Sequence, residues 1–145
     1  MIQRIQTVFL VLTAIIFGLL FRVPFATSNK PAAQFLSDMV FDVTDHPALI
    51  GLACIGGLLA LISVFMYRKR KVQLRLGYLI IVMAILLPLI SFLLFTNSSA
   101  SVDSSVQVYD QAGMYLPAGS ILFAALANYF IKKDEKLVKS MDRLR

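Results

Sequence analysis

Four apolar stretches constrain what this chain can fold into more than any other feature. They lie at about residues 5–21, 47–67, 77–95 and 114–131. A transmembrane helix needs about 20 mostly apolar residues, with a lower limit of about 17, to cross a hydrocarbon core about 30 Å thick. The pattern therefore predicts an all-α membrane protein, a bundle of four transmembrane helices.

The segments between these stretches are short. The chain has 145 residues, and neither the outer loops at 22–46 and 96–113 nor the tail at 132–145 is long enough to bury a core of its own. The turn at 68–76 joins the second and third stretches closely, which predicts an antiparallel hairpin. We therefore expect one domain, residues 1–145.

Basic residues concentrate on one side of the predicted bundle. Of the 14 Lys and Arg residues, 12 lie before the first stretch, between the second and third, or after the fourth, whereas Arg22 and Lys30 lie on the other side. Short loops rich in Lys and Arg stay in the cytoplasm, so we expect both termini there. This distribution of the net charge of +6 indicates contact with membrane lipids and no nucleic-acid partner.

The first stretch also has features of a signal peptide, since it follows Arg4 and ends at Arg22. No small-x-small cleavage site follows it cleanly. We therefore expect a retained first helix.

The outer loops contain two half-apolar runs, at 39–43 and 102–109. A helical interpretation of the first loop, with a turn beginning at Pro31 and carrying Phe35, competes with an extended one. The β-branched and aromatic residues favour the extended form. We expect the two runs to pair as a small β-ribbon over the outer mouth of the bundle, because membrane helices on both sides reduce the entropy of closing it.

Acidic residues and the one histidine precede the second stretch. We expect the Asp45 carboxylate to cap the second helix, with Pro47 in its first turn. Asp38, Asp42, Asp45 and His46 are alternatively a conceivable metal site, but capping explains the same residues more simply. No metal and no cofactor are predicted.

The four stretches contain no Asp, Glu, Lys, Arg or His. Ion pathways almost always need such groups inside the membrane, and a nucleophilic triad would have to be built around His46 alone. The sequence therefore predicts no catalytic residue and no enzyme. The polar residues expected to be buried within the stretches are at most Thr7, Thr13, Ser63, Ser91, Ser120 and Asn128. Of these, Asn128 is expected to hydrogen-bond a neighbouring helix.

The second stretch carries small residues at helical spacing, in the pairs Ala53/Gly57 and Gly56/Ala60. Such pairs let another helix backbone approach closely. We expect the neighbour to be another helix of this chain rather than a second protein. The predicted packing residues are Gly51, Ala53, Gly56, Gly57 and Ala60.

Charged, patterned sequence is concentrated in the turn and the tail. Leu137, Met141 and Leu144 recur at helical spacing, which predicts an amphipathic helix that continues the fourth span. Such a helix fits either a lipid surface or a soluble protein, and the interleaved acidic residues favour specific pairing with a protein. The predicted docking residues are Arg70, Gln73, Arg75, Asp134, Glu135, Lys136, Asp142, Arg143 and Arg145.

Three segments also resemble a known family. The opening MIQRIQT, the central RKVQLRL at 70–76 and the closing KDEKLV through DRLR at 133–145 are similar to domain-of-unknown-function family 4293. The resemblance covers the whole length. It implies a small four-span protein of the inner membrane of Bacteroidetes and supplies no reaction, cofactor or catalytic residue.

These features predict a non-enzymatic accessory or scaffold subunit that docks a partner on its basic cytoplasmic face. The alternative is a carrier or binder of a small neutral or lipidic molecule, in a bundle bent at Pro88. A filled core favours the first function. A continuous cavity that reaches Ser91 or Asn128 favours the second.

Overall fold

The computed structural model describes residues 5–31, 37–99 and 107–142. Within these residues α1 packs against α2 and α4, and α3 packs against the same two helices, so the four helices form a bundle. The helices are α1 (Ile5–Leu19), α2 (Pro47–Phe65), α3 (Arg70–Ser99) and α4 (Leu116–Asp142).

Three of the helices, α2, α3 and α4, are long and apolar enough to cross a membrane. The first, α1, is a shorter apolar helix of 15 residues. Backbone hydrogen bonds continue its winding for one further turn, from Leu20 N to Ile16 O (3.2 Å) and from Arg22 N to Leu19 O (2.9 Å). The prediction of a mostly helical protein with helices that could cross a membrane is confirmed.

Apolar side chains cover the outside of the bundle as well as its centre. Leu10, Ile80 and Leu87 are fully buried, whereas Leu122 is 58% exposed and Phe65 is 77% exposed. A helix that is apolar on all sides is typical of a lipid-embedded segment, because the lipid tails replace the apolar contacts that a soluble protein would need.

A three-stranded antiparallel sheet lies at one end of the bundle, in the order β2–β1–β3. Its strands are β1 (Ala26–Ser28), β2 (Val40–Phe41) and β3 (Val108–Asp110). The prediction of a small β-structure in the outer loops is confirmed. The prediction that its two runs pair with each other is wrong, because β1 lies between them. A two-stranded ribbon is marginally stable in water. In this sheet the central strand β1 pairs with the backbone groups on the inner edges of both β2 and β3. The helical alternative around Phe35 and the beginning of the 102–109 run lie outside the described residues.

Aromatic and backbone contacts hold the sheet against the bundle. The Phe41 ring lies 5.8 Å from the Phe25 ring and 6.3 Å from that of Phe95 on α3. Gly113 N donates to Pro24 O at 3.0 Å, and a Cβ atom at Gly113 would overlap that carbonyl. Only glycine fits there. We call this end of the bundle, with the three strands, the sheet end.

The start of α2 differs from the prediction. His46 is its N-cap residue, with Nδ1 accepting from Ala48 N at 3.1 Å. Asp45 does not cap α2, because it closes the 3-10 turn Val43–Asp45, where its Oδ2 accepts from Asp42 N at 2.7 Å. Burial raises the pKa of the Asp45 carboxyl, and the negative charges of Asp42 and Asp38 raise it further. The hydrogen bond from the Asp42 amide lowers the pKa, but the net result is a pKa above the usual value. Among the described residues, no group of three or more His, Cys, Asp or Glu side chains is placed to hold a metal ion.

Both long C-terminal helices are continuous. α3 runs through Pro88, which has no amide hydrogen to donate to Ala84 O, and Ser91 Oγ donates to Leu87 O at 3.0 Å one turn away. α4 runs to Asp142, so the helix continues from the fourth apolar stretch into the tail, as predicted. We call the turn Met66–Lys69, the start of α3 and the part of α4 from Lys132 onward the basic end.

Candidate functional site

An open groove of about 730 Å³ lies at the basic end, between the turn that joins α2 to α3 and the last part of α4. Its walls carry four cationic side chains, one carboxylate, two valines and a tyrosine. The surplus of positive charge favours an anionic ligand, and the valines offer apolar contact. The lining residues are Tyr67, Arg68, Lys69, Arg70, Lys71, Val72, Glu135 and Val138.

A hydrogen bond between two helices builds the groove. The half-buried guanidinium of Arg70 donates from Nη1 to the backbone carbonyl oxygen of Asp134 at 3.1 Å. The turn itself is closed by Lys69 N donating to Met66 O at 2.9 Å. Because Arg70 begins α3 and Asp134 lies in α4, this bond holds the last part of α4 beside the turn.

A cation and an aromatic ring also link these helices near the groove. Lys132 Nζ lies 5.4 Å from the centre of the Tyr78 ring. Tyr78 is about half exposed. A tyrosine with its ring against a lysine at the end of an apolar span is the arrangement found where a helix leaves the bilayer.

The predicted docking residues divide into three groups. Arg70 and Glu135 line the groove, whereas Arg75 and Lys136 are exposed but do not line it. Gln73 is fully buried and its Nε2 donates to Ser63 O at 3.0 Å, so its assignment to the docking surface is wrong. The Gln73 side chain lies on the side of α3 that packs against α2. Four predicted residues remain. Asp134 is half-buried and accepts the Arg70 bond through its backbone. The side chains of Asp142, Arg143 and Arg145 lie outside the described part of the chain.

Sequence analysis missed six members of the groove, which are Tyr67, Arg68, Lys69, Lys71, Val72 and Val138. The run of four basic residues at 68–71 was visible, but which of them share a surface with α4 depends on how the two helices are rotated. Nothing in a basic run specifies that rotation.

The small residues of α2 face α1. The Phe17 ring lies directly against Gly56, and Ala53 and Ala60 are buried on the same side. Gly57 is half-buried, and a Cβ atom there would lie 3.4 Å from Phe17 Cβ. A Cβ atom at Gly51 would meet nothing within 4 Å. The helix that approaches this side of α2 is thus another helix of the same chain.

Four buried polar residues, one from each helix, lie toward the basic end. We call them the polar layer: Gln6 (2% exposed), Ser63 (0%), Gln73 (0%) and Asn128 (5%). The Asn128 side chain lies against Gly77 of α3. The expectation that Asn128 hydrogen-bonds a neighbouring helix is wrong for the described residues, since neither its Nδ2 nor its Oδ1 has a partner among them. Gln6 and Gln73 were not expected to be buried, because each lies two residues from an Arg or a Lys in the sequence.

A smaller apolar cavity of about 180 Å³ lies at the sheet end, between the strands and α3. It reaches Ser91 but is separated from Asn128 by fully buried Ala84, Leu87 and Ala124. The core between the two ends is therefore filled at these positions. The cavity is lined by Phe25, Ala26, Phe41, Ser91, Phe92, Phe95, Val108, Asp110 and Met114.

Comparison with known proteins identifies the family of this chain. A family model described as Domain of unknown function (DUF4293) matches residues 2–144, essentially the whole chain. Neither a curated protein nor a solved structure matches.

Proposed function

This chain belongs to the DUF4293 family, and we propose that it is a non-enzymatic accessory or scaffold subunit of the bacterial inner membrane, which docks a protein partner in the groove at its basic end. The partner segment presents acidic side chains to the lysines and arginines and an apolar side chain to the valines. The observation that carries this proposal is the groove itself, in which cationic and apolar side chains are combined.

The proposal includes four membrane spans with both termini in the cytoplasm. Its support is the distribution of Lys and Arg, 12 on the side of the basic end and two on the side of the sheet end. α1 is short for a span, but Arg4 and Arg22 flank it, and long basic side chains extend from a helix end to the membrane surface.

The composition of the groove favours a protein over lipid headgroups as its occupant. Attraction to an anionic membrane surface needs positive charge alone. Here Glu135 lies among the cations, and Val138 in the same wall is 43% exposed. A carboxylate among the cations weakens attraction to an anionic lipid surface, and an exposed valine adds apolar contact with a protein.

Site-specific photocrosslinking in living cells tests the proposal. A photoreactive amino acid at Val138 should yield a discrete crosslinked protein, whereas the same residue at Leu122, 58% exposed on the apolar part of α4, should yield lipid adducts only. Lys69→Glu should abolish the protein crosslink. Lys133→Glu makes the same change of charge at an exposed position that does not line the groove, and should preserve it.

The two charge variants separate the two kinds of occupant. If lipid headgroups fill the groove, Lys69→Glu and Lys133→Glu weaken contact with the membrane equally, and the photoreactive residue at Val138 yields no discrete crosslinked protein. That result would contradict the proposal.

A second candidate function, binding of a small neutral or lipidic molecule, is supported by the cavity at the sheet end. An apolar space of about 180 Å³ resembles in size the engineered cavities of about 150 Å³ that bind benzene. A photoactivatable hydrocarbon probe should label the cavity wall. Val108→Trp should block the label by filling the cavity, while Tyr109→Trp, at the next residue and 54% exposed, should not. Equal labelling of both variants would exclude the cavity as the binding place.

A further inference from the structure

We propose that the polar layer of Gln6, Ser63, Gln73 and Asn128 is a closed binding site for water, in which ordered water molecules bridge the four helices. All four side chains are at least nine-tenths buried. Six of their polar atoms have no hydrogen-bond partner among the described residues. These atoms are Gln6 Nε2 and Oε1, Ser63 Oγ, Gln73 Oε1, and Asn128 Nδ2 and Oδ1.

Contacts between the helices place these residues at one level of the bundle. Asn128 lies against Gly77, and Gln73 precedes Gly77 by four residues, which is one turn on the same side of α3. Gln73 in turn donates to the Ser63 carbonyl on α2. The polar side chains of α2, α3 and α4 therefore follow one another within about a turn of helix.

Stacked aromatic rings bring Gln6 to the same level. The Phe9 ring of α1 stacks on the Phe130 ring of α4, with centroids 5.5 Å apart and planes 9° from parallel. The Phe9 ring also stacks on the Phe123 ring, with centroids 6.1 Å apart, so Phe9 lies level with residues between 123 and 130 of α4. The two helices run in opposite directions, and Gln6, three residues before Phe9, lies nearer the basic end and level with the later part of that segment. Because α1 and α4 are adjacent, Gln6 lies beside the part of α4 that carries Asn128.

The chemistry of the unpartnered atoms selects a neutral occupant that both donates and accepts. Two amide nitrogens donate, three amide oxygens accept, and the Ser63 hydroxyl does either. None of the four side chains is charged, so the layer offers no counter-ion for an anion or a cation. Water has two donors and two acceptors, and buried water typically makes about three hydrogen bonds to polar groups that otherwise lack partners.

The layer is close to the solvent at the basic end. Gln73 N donates to the carbonyl oxygen of Lys69 at 3.0 Å, and Lys69 lines the groove. One turn of α3 thus separates the buried amide from a surface that water reaches. The site can fill from that side without crossing the apolar core.

NMR on the intact protein in lipid nanodiscs tests the site. With the side-chain amides of Asn and Gln labelled with nitrogen-15, Gln6 and Asn128 should show cross-relaxation with water of the sign that marks long-lived bound molecules. The amide of Asn97, exposed at the far end of α3, serves as the reference for fast surface water. Direct contacts between the buried amide groups, without any signal from water, would overturn the proposal.

A variant gives an independent measurement. Gln6→Met removes one polar side chain while keeping its length, and should lower the melting temperature and weaken the water signal at Asn128, since a shared water loses a partner. Asn97→Leu should change neither. If Gln6→Met raises the melting temperature and leaves the Asn128 signal unchanged, the layer is dry and the proposal fails. Should the variant not fold, the measurement on the unmodified protein still decides.

Discussion

The ring of Phe17 in α1 fills the space that a side chain at Gly56 of α2 would occupy. A Cβ atom at position 56 would lie 2.6 Å from Phe17 Cζ, a distance that carbon atoms do not tolerate. The absence of a side chain at this one position lets the two helices pack around the largest fully buried side chain of the bundle.

Gly56→Ala is therefore expected to destabilise the protein by about 1–3 kcal/mol, the usual cost of forcing extra volume into a packed core. Gly51→Ala is the matched control, because nothing lies within 4 Å of its Cβ position, and alanine there should be neutral or stabilising by up to about 1 kcal/mol through its higher helix propensity. Unfolding in mild detergent measures both. Phe17→Leu should partly rescue Gly56→Ala, and equal stability of the two glycine variants would refute the packing role.

Arg70→Met should loosen the last part of α4. The substitution keeps an unbranched side chain but removes the donor to Asp134 O, and a hydrogen bond from a charged group contributes about 1.5–3 kcal/mol. Hydrogen–deuterium exchange should then become faster in residues 132–138 and stay unchanged in residues 116–127. Arg75→Met, which changes an exposed arginine of the same helix, should leave exchange in α4 unaltered. Faster exchange in both variants would show that charge, and not the Arg70 bond, holds the segment.

Asp45→Asn should stabilise the protein at neutral pH. Burial and the nearby carboxylates raise the pKa of Asp45 in the folded protein, so the folded state binds its proton more tightly than the unfolded chain does. The protonated carboxyl therefore stabilises the fold fully below the unfolded pKa of 3.8, and this stabilisation is lost as the pH rises through the raised pKa. Asparagine keeps an oxygen for the Asp42 amide without the charge.

Melting temperatures of the Asp45→Asn variant and the parent should accordingly differ most near about pH 7 and converge near about pH 4. Asp110→Asn, at an exposed carboxyl of β3, is the control. A difference that grows on acidification would contradict the sign of the pKa shift.

Met39→Gly should stabilise the sheet end by about 0.5–1 kcal/mol. Met39 has a φ of 64°, in the left-handed region that residues with a Cβ atom rarely adopt. Its side chain is 43% exposed, so little packing is lost, and its carbonyl still accepts from Ser28 N. Val40→Gly, one residue later in β2, should instead destabilise. Chemical denaturation compares the two, and a loss of stability in Met39→Gly would show that the strain is not relieved.

The proposed topology predicts which positions an impermeant thiol reagent reaches in intact cells. Cys54 is exposed on the apolar surface of α2 and is first replaced by alanine. Lys30→Cys, at the sheet end, should be labelled from outside. Ser140→Cys, exposed in the last part of α4, should be labelled only after the membrane is permeabilised. Labelling of Ser140→Cys in intact cells would reverse the orientation.

The helices could be located from the sequence, but β1 could not. The apolar stretches lie within or beside α1 to α4, because burial in lipid requires long apolar runs that stand out from any loop. β1 has only three residues, Ala26, Thr27 and Ser28, and lacks the run of β-branched and aromatic residues that marks a strand in a sequence. Its structure comes from partners distant in sequence, Val40 on one side and Tyr109 on the other.

The surfaces of the helices were harder to predict than their positions. α2 and α3 are apolar nearly all round, so periodicity gives little information about which side faces inward. Gln73 lies three residues from Arg70, and a charged run gave no reason to separate the buried residue from the one that lines the groove. The helix rotation that separates them is set by packing against α2 and α4.

Because α4 is continuous, it connects the sheet end and the basic end through one rigid helix. One end of this 27-residue helix follows the short 3-10 turn in which Gly113 is fixed to the Pro24 carbonyl, and the other end forms a wall of the groove. No loop or break within it can absorb a displacement. We therefore expect a displacement of Val138 to tilt the whole helix about its fixed end, so that binding in the groove also strains the contact between Gly113 and Pro24 at the sheet end.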